Sequence, residues 1–104
     1  MSVLNLNSIS ITPKVLKEIG FSNNPKTWVY HFTLYPHRVR LLINKKNINE
    51  VKVYFETSHP FRAFVHEYTQ TYEVLEKIDI LTLIEFCKTK IKTKYERTNR
   101  RRRN

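Results

Sequence analysis

Apolar and polar residues alternate along much of the first sixty positions, and this alternation predicts β-strands. In SVLNLNSISI, Leu4 and Leu6 alternate with polar residues, a period of two that is typical of a strand with one buried face. The same pattern returns in TWVYHFTLY, RVRLLIN and EVKVYFET. The short connections between these segments contain the turn-forming YPH and KKN. Such short connections predict an antiparallel meander.

A short helix is predicted between the first strand and this meander, in TPKVLKEIGF. Thr12 can cap its N-terminus and Pro13 fits the first helical position. Gly20 can adopt the left-handed conformation that often ends a helix.

After residue 60 the apolar period becomes helical, which predicts two C-terminal helices. Pro60 fits the first position of one helix, and its apolar face would comprise Phe61, Phe64, Val65, Tyr68, Tyr72 and Leu75. The second helix is expected to begin near Thr82, because Thr82 and Glu85 have the spacing of a capping box. Its apolar stripe would comprise Ile84, Cys87, Ile91 and Tyr95.

Together these elements predict an α+β domain with the order β-α-β-β-β-α-α. We expect an antiparallel sheet of three to four strands, packed by a short N-terminal helix and two C-terminal helices. Trp28, Phe64 and Tyr68 are expected in the core. No apolar residue follows Arg97, so the domain is expected to span residues 1–97 and a disordered basic tail residues 98–104.

The charge is concentrated at the C-terminus. The 104 residues carry a formal net charge of +10, and residues 88–104 contain nine Lys and Arg against the single acid Glu96. A basic segment of this kind favours partners with dense negative charge, such as RNA, DNA, an anionic membrane surface or an acidic protein face. The lone Cys87 excludes a disulfide framework, and the N-terminus lacks a signal-peptide pattern, so we expect a cytoplasmic protein.

The candidate nucleic-acid contacts are basic residues of the last helix and tail. Lys90, Lys94 and Arg97 are spaced as neighbours on one helix face, which can follow a phosphate backbone. The full set predicted here is Lys88, Lys90, Lys92, Lys94, Arg97, Arg100, Arg101, Arg102 and Arg103. Arg38 and Arg40 share one face of a predicted strand and would extend this surface, and Tyr30, Tyr35 or Tyr54 could stack on an unpaired base.

An enzymatic alternative depends on His66. This histidine precedes Glu67 and would lie one helical turn from Arg62, an arrangement compatible with general acid–base chemistry in a small ribonuclease. No second essential group is evident from the spacing, so a packed or hydrogen-bonded His66 is favoured. The sequence shows no metal-ligand spacing, phosphate loop or nucleophile motif, and we predict no catalytic residue, metal or cofactor.

Two stretches together resemble small uncharacterised proteins of phages and mobile elements of Bacteroidetes. ITPKVLKEIGF resembles their opening, and FVHEYTQTYEVL resembles the Val-His-(Glu/Gln) helix that closes them. The likeness covers roughly residues 9–80. This chain departs from those proteins in reading EKIDI where they usually carry a glycine, and in continuing beyond the point at which they stop.

The resemblance implies a phage origin and, with the basic charge, an inhibitor of host defence of the anti-CRISPR type. The expected target is a type VI, RNA-targeting system in the bacterial cytoplasm, reached through guide RNA or the RNA-binding surface of an RNA-guided nuclease. A sequence-independent DNA- or RNA-binding accessory phage protein is the other non-enzymatic alternative.

Overall fold

Five strands form one antiparallel sheet, and two helices accompany it. The computed structural model describes the backbone of residues 9–103, and their side chains except for Arg62 and residues 94–103. In chain order the elements are α1 (Pro13–Ile19), β1 (Ser22–Asn23), β2 (Thr27–Leu34), β3 (His37–Asn44), β4 (Glu50–His59), β5 (Arg62–Glu73) and α2 (Lys77–Arg103). The strands lie in the sheet in sequence order. The α+β class is confirmed, but the sheet has five strands rather than three or four.

Helix α1 has the ends that its sequence predicts. The side chain of Thr12 accepts a hydrogen bond from the Val15 backbone N–H at 3.2 Å, and Pro13 opens the helix. Gly20 adopts a φ of 123° and donates its N–H to the carbonyl groups of Leu16 and Lys17. Only glycine adopts this backbone conformation without steric cost, so it ends the helix here.

The predicted helix over residues 61–75 is wrong, because most of this segment, Arg62–Glu73, forms β5. The segment is rich in aromatic and β-branched residues, which suit a strand, and β4 offers it a ladder of hydrogen bonds. A spacing of four places two residues on the same side of a helix and also on the same side of a strand, so the pattern was ambiguous.

An irregularity in β5 also changes which of its side chains are buried. The register passes from Phe55 opposite Tyr68 to Glu56 opposite His66, which leaves Glu67 as an extra residue. Such a bulge shifts the alternation of side chains by one position. Tyr68 therefore stacks on buried Phe55, whereas Phe64 is half-buried on the other face of the sheet. Phe61 lies in the turn before β5 and is 91% exposed.

A single C-terminal helix, α2, replaces the predicted pair. It begins at Lys77 rather than near Thr82, because the Asp79 carboxylate accepts the backbone N–H groups of Leu75 and Glu76 at 2.9 Å each. These hydrogen bonds satisfy donors at the helix start and lower the pKa of Asp79. The backbone stays helical through Arg103, across the residues for which we expected disorder, and the domain division at residue 97 stays a prediction.

The predicted N-terminal strand lies largely outside the described residues. Within them, Ser10 forms an isolated antiparallel bridge with Glu76, and the Lys77 N–H donates to the carbonyl of Ile9 at 2.8 Å.

One face of the sheet forms the core with the helices. Residues with side chains almost fully buried on this face are Val39, Leu41, Ile43, Val51, Val53 and Phe55. The same core includes Leu16 of α1, together with Ile80, Leu83, Ile84, Cys87 and Ile91 of α2. Intervening residues, such as Arg38, Arg40 and Leu42, point to the opposite face, which we call the open face because no described helix packs on it.

Candidate nucleic-acid interface

The basic part of α2 comprises residues 88–103 and begins within the last turn that has buried side chains. Ile91 is the last residue of the helix whose described side chain is buried, at 2% exposure. Lys88 and Lys92 are exposed and four residues apart, so they lie on neighbouring turns of one helix face. The helical backbone continues through the other predicted basic residues, whose side chains lie outside those described: Lys94, Arg97, Arg100, Arg101, Arg102 and Arg103.

Lys90 differs from these neighbours because its ammonium group lies against the sheet. Its Nζ is 4.8 Å from the ring centroid of Phe55 and 4.9 Å from that of Tyr68. A hydrogen bond with Tyr68 is the main reason that the pKa of Lys90 is raised, and burial opposes it. Lys88 makes a longer contact, with its Nζ 5.8 Å from the Phe32 ring. Lys90 therefore joins α2 to the aromatic residues of β4 and β5, while Lys92 is exposed.

Arg38 and Arg40 share the open face, as their positions beside Val39 and Leu41 indicate, and both bind Glu56. Arg38 Nε donates to Glu56 Oε1 at 2.7 Å, and Arg40 Nε donates to the same oxygen at 3.1 Å. Glu56 is 6% exposed, and the two arginines are 28% and 35% exposed.

The two arginines decide the charge state of Glu56. Burial by itself would raise the pKa of this carboxyl, but the hydrogen bonds and positive charges of both arginines outweigh it, and the pKa is lowered. Two guanidinium groups thus share one carboxylate, which leaves a net positive charge. Each guanidinium has five N–H donors and uses its Nε in this contact. Such fixed, planar donors suit a phosphate group.

Aromatic rings flank this Arg38–Glu56–Arg40 cluster. The guanidinium carbon of Arg38 lies 4.1 Å from the Phe64 ring centroid, and that of Arg40 lies 5.3 Å from the Tyr54 centroid. The cation–π contacts hold the guanidinium planes close to the sheet. Neither Glu56 nor Phe64 was predicted in this role, because both approach the arginines through strand pairing that no local spacing reveals.

The three tyrosines proposed for base stacking lie in different surroundings. Tyr54 is half-buried on the open face beside Arg40. Tyr30 packs against the core, with its ring 5.4 Å from Phe21. Tyr35, in the turn between β2 and β3, is 67% exposed. Tyr54 is therefore the tyrosine of this set that the structure places beside a predicted basic contact.

Arg62 and His66 lie on strand β5, so they are not one helical turn apart as the sequence had indicated. His66 Nε2 lies 2.6 Å from Thr69 Oγ1, and its ring packs edge-on to Tyr54 at 5.9 Å. Cys87 is fully buried, and burial raises the pKa of its thiol to about 11, so it is protonated at neutral pH. Among the described residues, no group of three His, Cys, Asp or Glu side chains could hold a metal ion.

Comparison of the chain with protein-family models, curated proteins and solved structures gives no match. None of the helices in the described part of the chain has the length and apolar character needed to cross a membrane.

Proposed function

We propose that this protein binds RNA through the basic part of α2. The observation that carries the proposal is that α2 changes along its length from a segment packed in the core to a basic segment. One apolar stripe of the helix, which ends at Ile91, is buried in the core, and the helix then continues to Arg103 through the most basic segment of the chain. Four consecutive arginines are more than compensation of the helix dipole needs.

The binding mode is electrostatic. Lys88 and Lys92 on adjacent turns, followed by the basic residues from 94 to 103, supply a row of cations along a helix. Cations that neutralise phosphates release condensed counterions, and for a single strand the logarithm of affinity falls by roughly 0.7 per contacted phosphate for each tenfold rise in salt.

The biological role we propose is inhibition of host defence of the anti-CRISPR type. The protein would act in the cytoplasm of the bacterial host and bind guide RNA, or the RNA-binding surface of an RNA-guided nuclease. Two observations support this role: the resemblance of residues 9–80 to small phage proteins, and the net charge of +10. Binding to either of these targets requires no catalysis by the protein itself.

The test compares binding and inhibition in one set of variants. Wild-type protein, the double variant Lys88→Gln/Lys92→Gln and a truncation after Thr98 are titrated against labelled guide RNA, and each is then added to a type VI nuclease reaction. We expect both changes to weaken RNA binding and inhibition several-fold, with a steep salt dependence in the wild type. The variant Lys14→Gln/Lys17→Gln, on α1, is the matched control because it removes the same charge from an exposed surface elsewhere.

Two outcomes would reject the proposal. Equal RNA affinity in all four proteins would show that α2 is not the contact surface. RNA cleavage by the purified wild type, lost in His66→Ala, would favour the ribonuclease alternative. Competition with duplex DNA completes the comparison, since equal affinity for duplex DNA and RNA would favour a sequence-independent accessory protein.

A further inference from the structure

The open face contains a cavity beside the Arg38–Glu56–Arg40 cluster. It has a volume of about 380 Å³. Its lining includes Leu42 of β3, together with Lys52 and Tyr54 of β4. The turn between these two strands contributes Lys46 and Asn47. Leu42 and Lys52 are paired across the two strands, and Tyr54 is paired with Arg40. The cavity and the arginines are therefore adjacent, with Tyr54 common to both.

The cavity has the size and composition of a small-ligand site. Ligand pockets in proteins begin at roughly 300 Å³ and combine apolar surface with a few polar groups. Leu42 and the Tyr54 ring supply apolar surface, and Asn47 supplies an amide. Lys46 and Lys52 are both exposed and outnumber the single acid in the lining, Glu50. The local charge is thus positive, as it is at the arginine cluster.

A nucleotide matches both the cavity and the arginine cluster. It carries a flat base and a phosphate a few ångströms apart, and the site places a tyrosine ring beside two guanidinium groups. Bases stack on aromatic side chains without regard to sequence, and guanidinium groups bind phosphate through paired N–H donors. Glu56 holds both arginines through their Nε atoms, at 2.7 and 3.1 Å, before any ligand arrives. This arrangement reduces the entropy lost on binding.

We propose that the open face binds one unpaired nucleotide of a single-stranded nucleic acid. The base would occupy the cavity against Tyr54, and its phosphate would bind Arg40 and Arg38. This site lies on the face of the sheet opposite to α2, so it is separate from the RNA contact proposed above. A peptide of aspartate and glutamate would satisfy the arginines, but it lacks a flat ring to occupy the space beside Tyr54.

The site can be tested with short probes whose binding is followed at individual amide signals, so that binding at the open face is distinguished from binding at α2. Uniformly ¹⁵N-labelled protein is titrated with the RNA hexamer U6, the DNA hexamer dT6, inorganic phosphate and a glutamate hexapeptide. We expect U6 to shift the amide signals of β3 and β4 around Arg40, Leu42 and Tyr54. The Tyr54→Leu substitution should weaken U6 binding at this site at least about fivefold, because stacking on an aromatic side chain is lost. Arg40→Gln should weaken it by a similar factor.

Matched controls separate this site from α2 and from general effects. Tyr35→Leu removes a tyrosine from an exposed turn, and Lys92→Gln removes a cation from α2, so both should leave the β3 and β4 shifts unchanged. If Tyr54→Leu does not fold, as judged by its melting curve, Lys52→Gln is used instead, because that side chain is exposed and lines the cavity. At the amide signals of β3 and β4, Lys52→Gln should reduce U6 affinity more than Lys92→Gln does.

Several results would overturn the inference. One is a U6 titration that shifts only signals of α2, which would leave the function proposed for that helix intact. Another is equal binding of the glutamate hexapeptide and U6, which would assign the cluster to acidic protein segments. Equal binding by U6 and inorganic phosphate would show that the base makes no contact. Comparison of U6 with dT6 then decides whether the nucleotide is read as RNA or as single-stranded nucleic acid in general.

Discussion

Substitution of Lys90 by glutamine should destabilise the domain, whereas the same substitution at Lys92 should not. The two lysines are two positions apart in one helix and have the same charge, so sequence alone does not separate them. In the structure, the Lys90 ammonium lies within 5 Å of the ring centroids of Phe55 and Tyr68. Lys92 is exposed.

The expected magnitude follows from these contacts. Lys90 makes two cation–π contacts, and each contributes about 0.5–1 kcal/mol at a partly exposed site. Solvent screening reduces their sum, so about 0.5–1.5 kcal/mol is expected in total. For a domain of this size that corresponds to a fall in Tm of about 2–8 °C. A surface substitution such as Lys92→Gln should change stability by less than about 0.5 kcal/mol.

The assay is thermal unfolding of the wild type and both variants by circular dichroism, with RNA affinity measured in parallel. RNA affinity should show the reverse order, with Lys92→Gln the weaker binder. The pH dependence gives a second check, because the pKa of Lys90 is raised above 10.5 in the folded protein. Its stabilisation is complete below that pH and is lost as the pH rises through the folded pKa, so the difference in Tm should shrink only above about pH 10.5.

Identical melting curves for Lys90→Gln and Lys92→Gln would refute the assignment of Lys90 to the sheet. Norleucine at position 90 offers a finer control, because it retains the alkyl chain and removes only the ammonium group. If the norleucine protein melts like the wild type, the stabilisation comes from apolar packing of the stem and not from the charge.

Three further predictions concern the core, the thiol and the buried carboxylate. Phe55→Ala should lower the free energy of unfolding by about 3–5 kcal/mol in urea denaturation, whereas Phe64→Ala, on the open face, should cost clearly less; equal costs would contradict the bulge in β5. The Cys87 thiol, buried and with a pKa of about 11, should react with a thiol reagent only as fast as the protein opens, and labelling within seconds at neutral pH would contradict its burial. Glu56→Gln should destabilise the protein at pH 7, and the difference from wild type should diminish as the pH falls below 4.5 through the lowered pKa of Glu56; a difference that persists at the acid end of this range would show that the carboxylate charge is not the cause.

The sequence by itself determined the elements whose signals are local. Thr12, Pro13 and Gly20 predict both ends of α1, because capping depends on residues within one turn of the helix. The three central strands β2, β3 and β4 follow from alternation over eight to ten residues and from short turns. The same alternation places Arg38 and Arg40 on one face and Val39 and Leu41 on the other, as the structure shows.

Only the tertiary structure decided which conformation residues 61–75 adopt. Their apolar spacing of four fits both a helix and a strand, and pairing with β4 favours the strand because it satisfies the backbone donors and acceptors of a long segment at once. With that choice made, the residues between Leu75 and Thr82 became the start of α2. Asp79 supplied its cap, where a local motif had indicated Thr82.

The charged contacts were decided in the same way. Lys90 and Lys92 look alike in the sequence, and the packing of α2 across β4 and β5 separates a lysine that lies on aromatic rings from one that remains exposed. Glu56 lies sixteen and eighteen residues from the two arginines that it binds. Electrostatic contacts across a sheet depend on register, and register is set by the whole hydrophobic face and not by the residues in contact. The sequence therefore determined where positive charge is concentrated, and the fold decided which of those charges contact the sheet and which remain exposed.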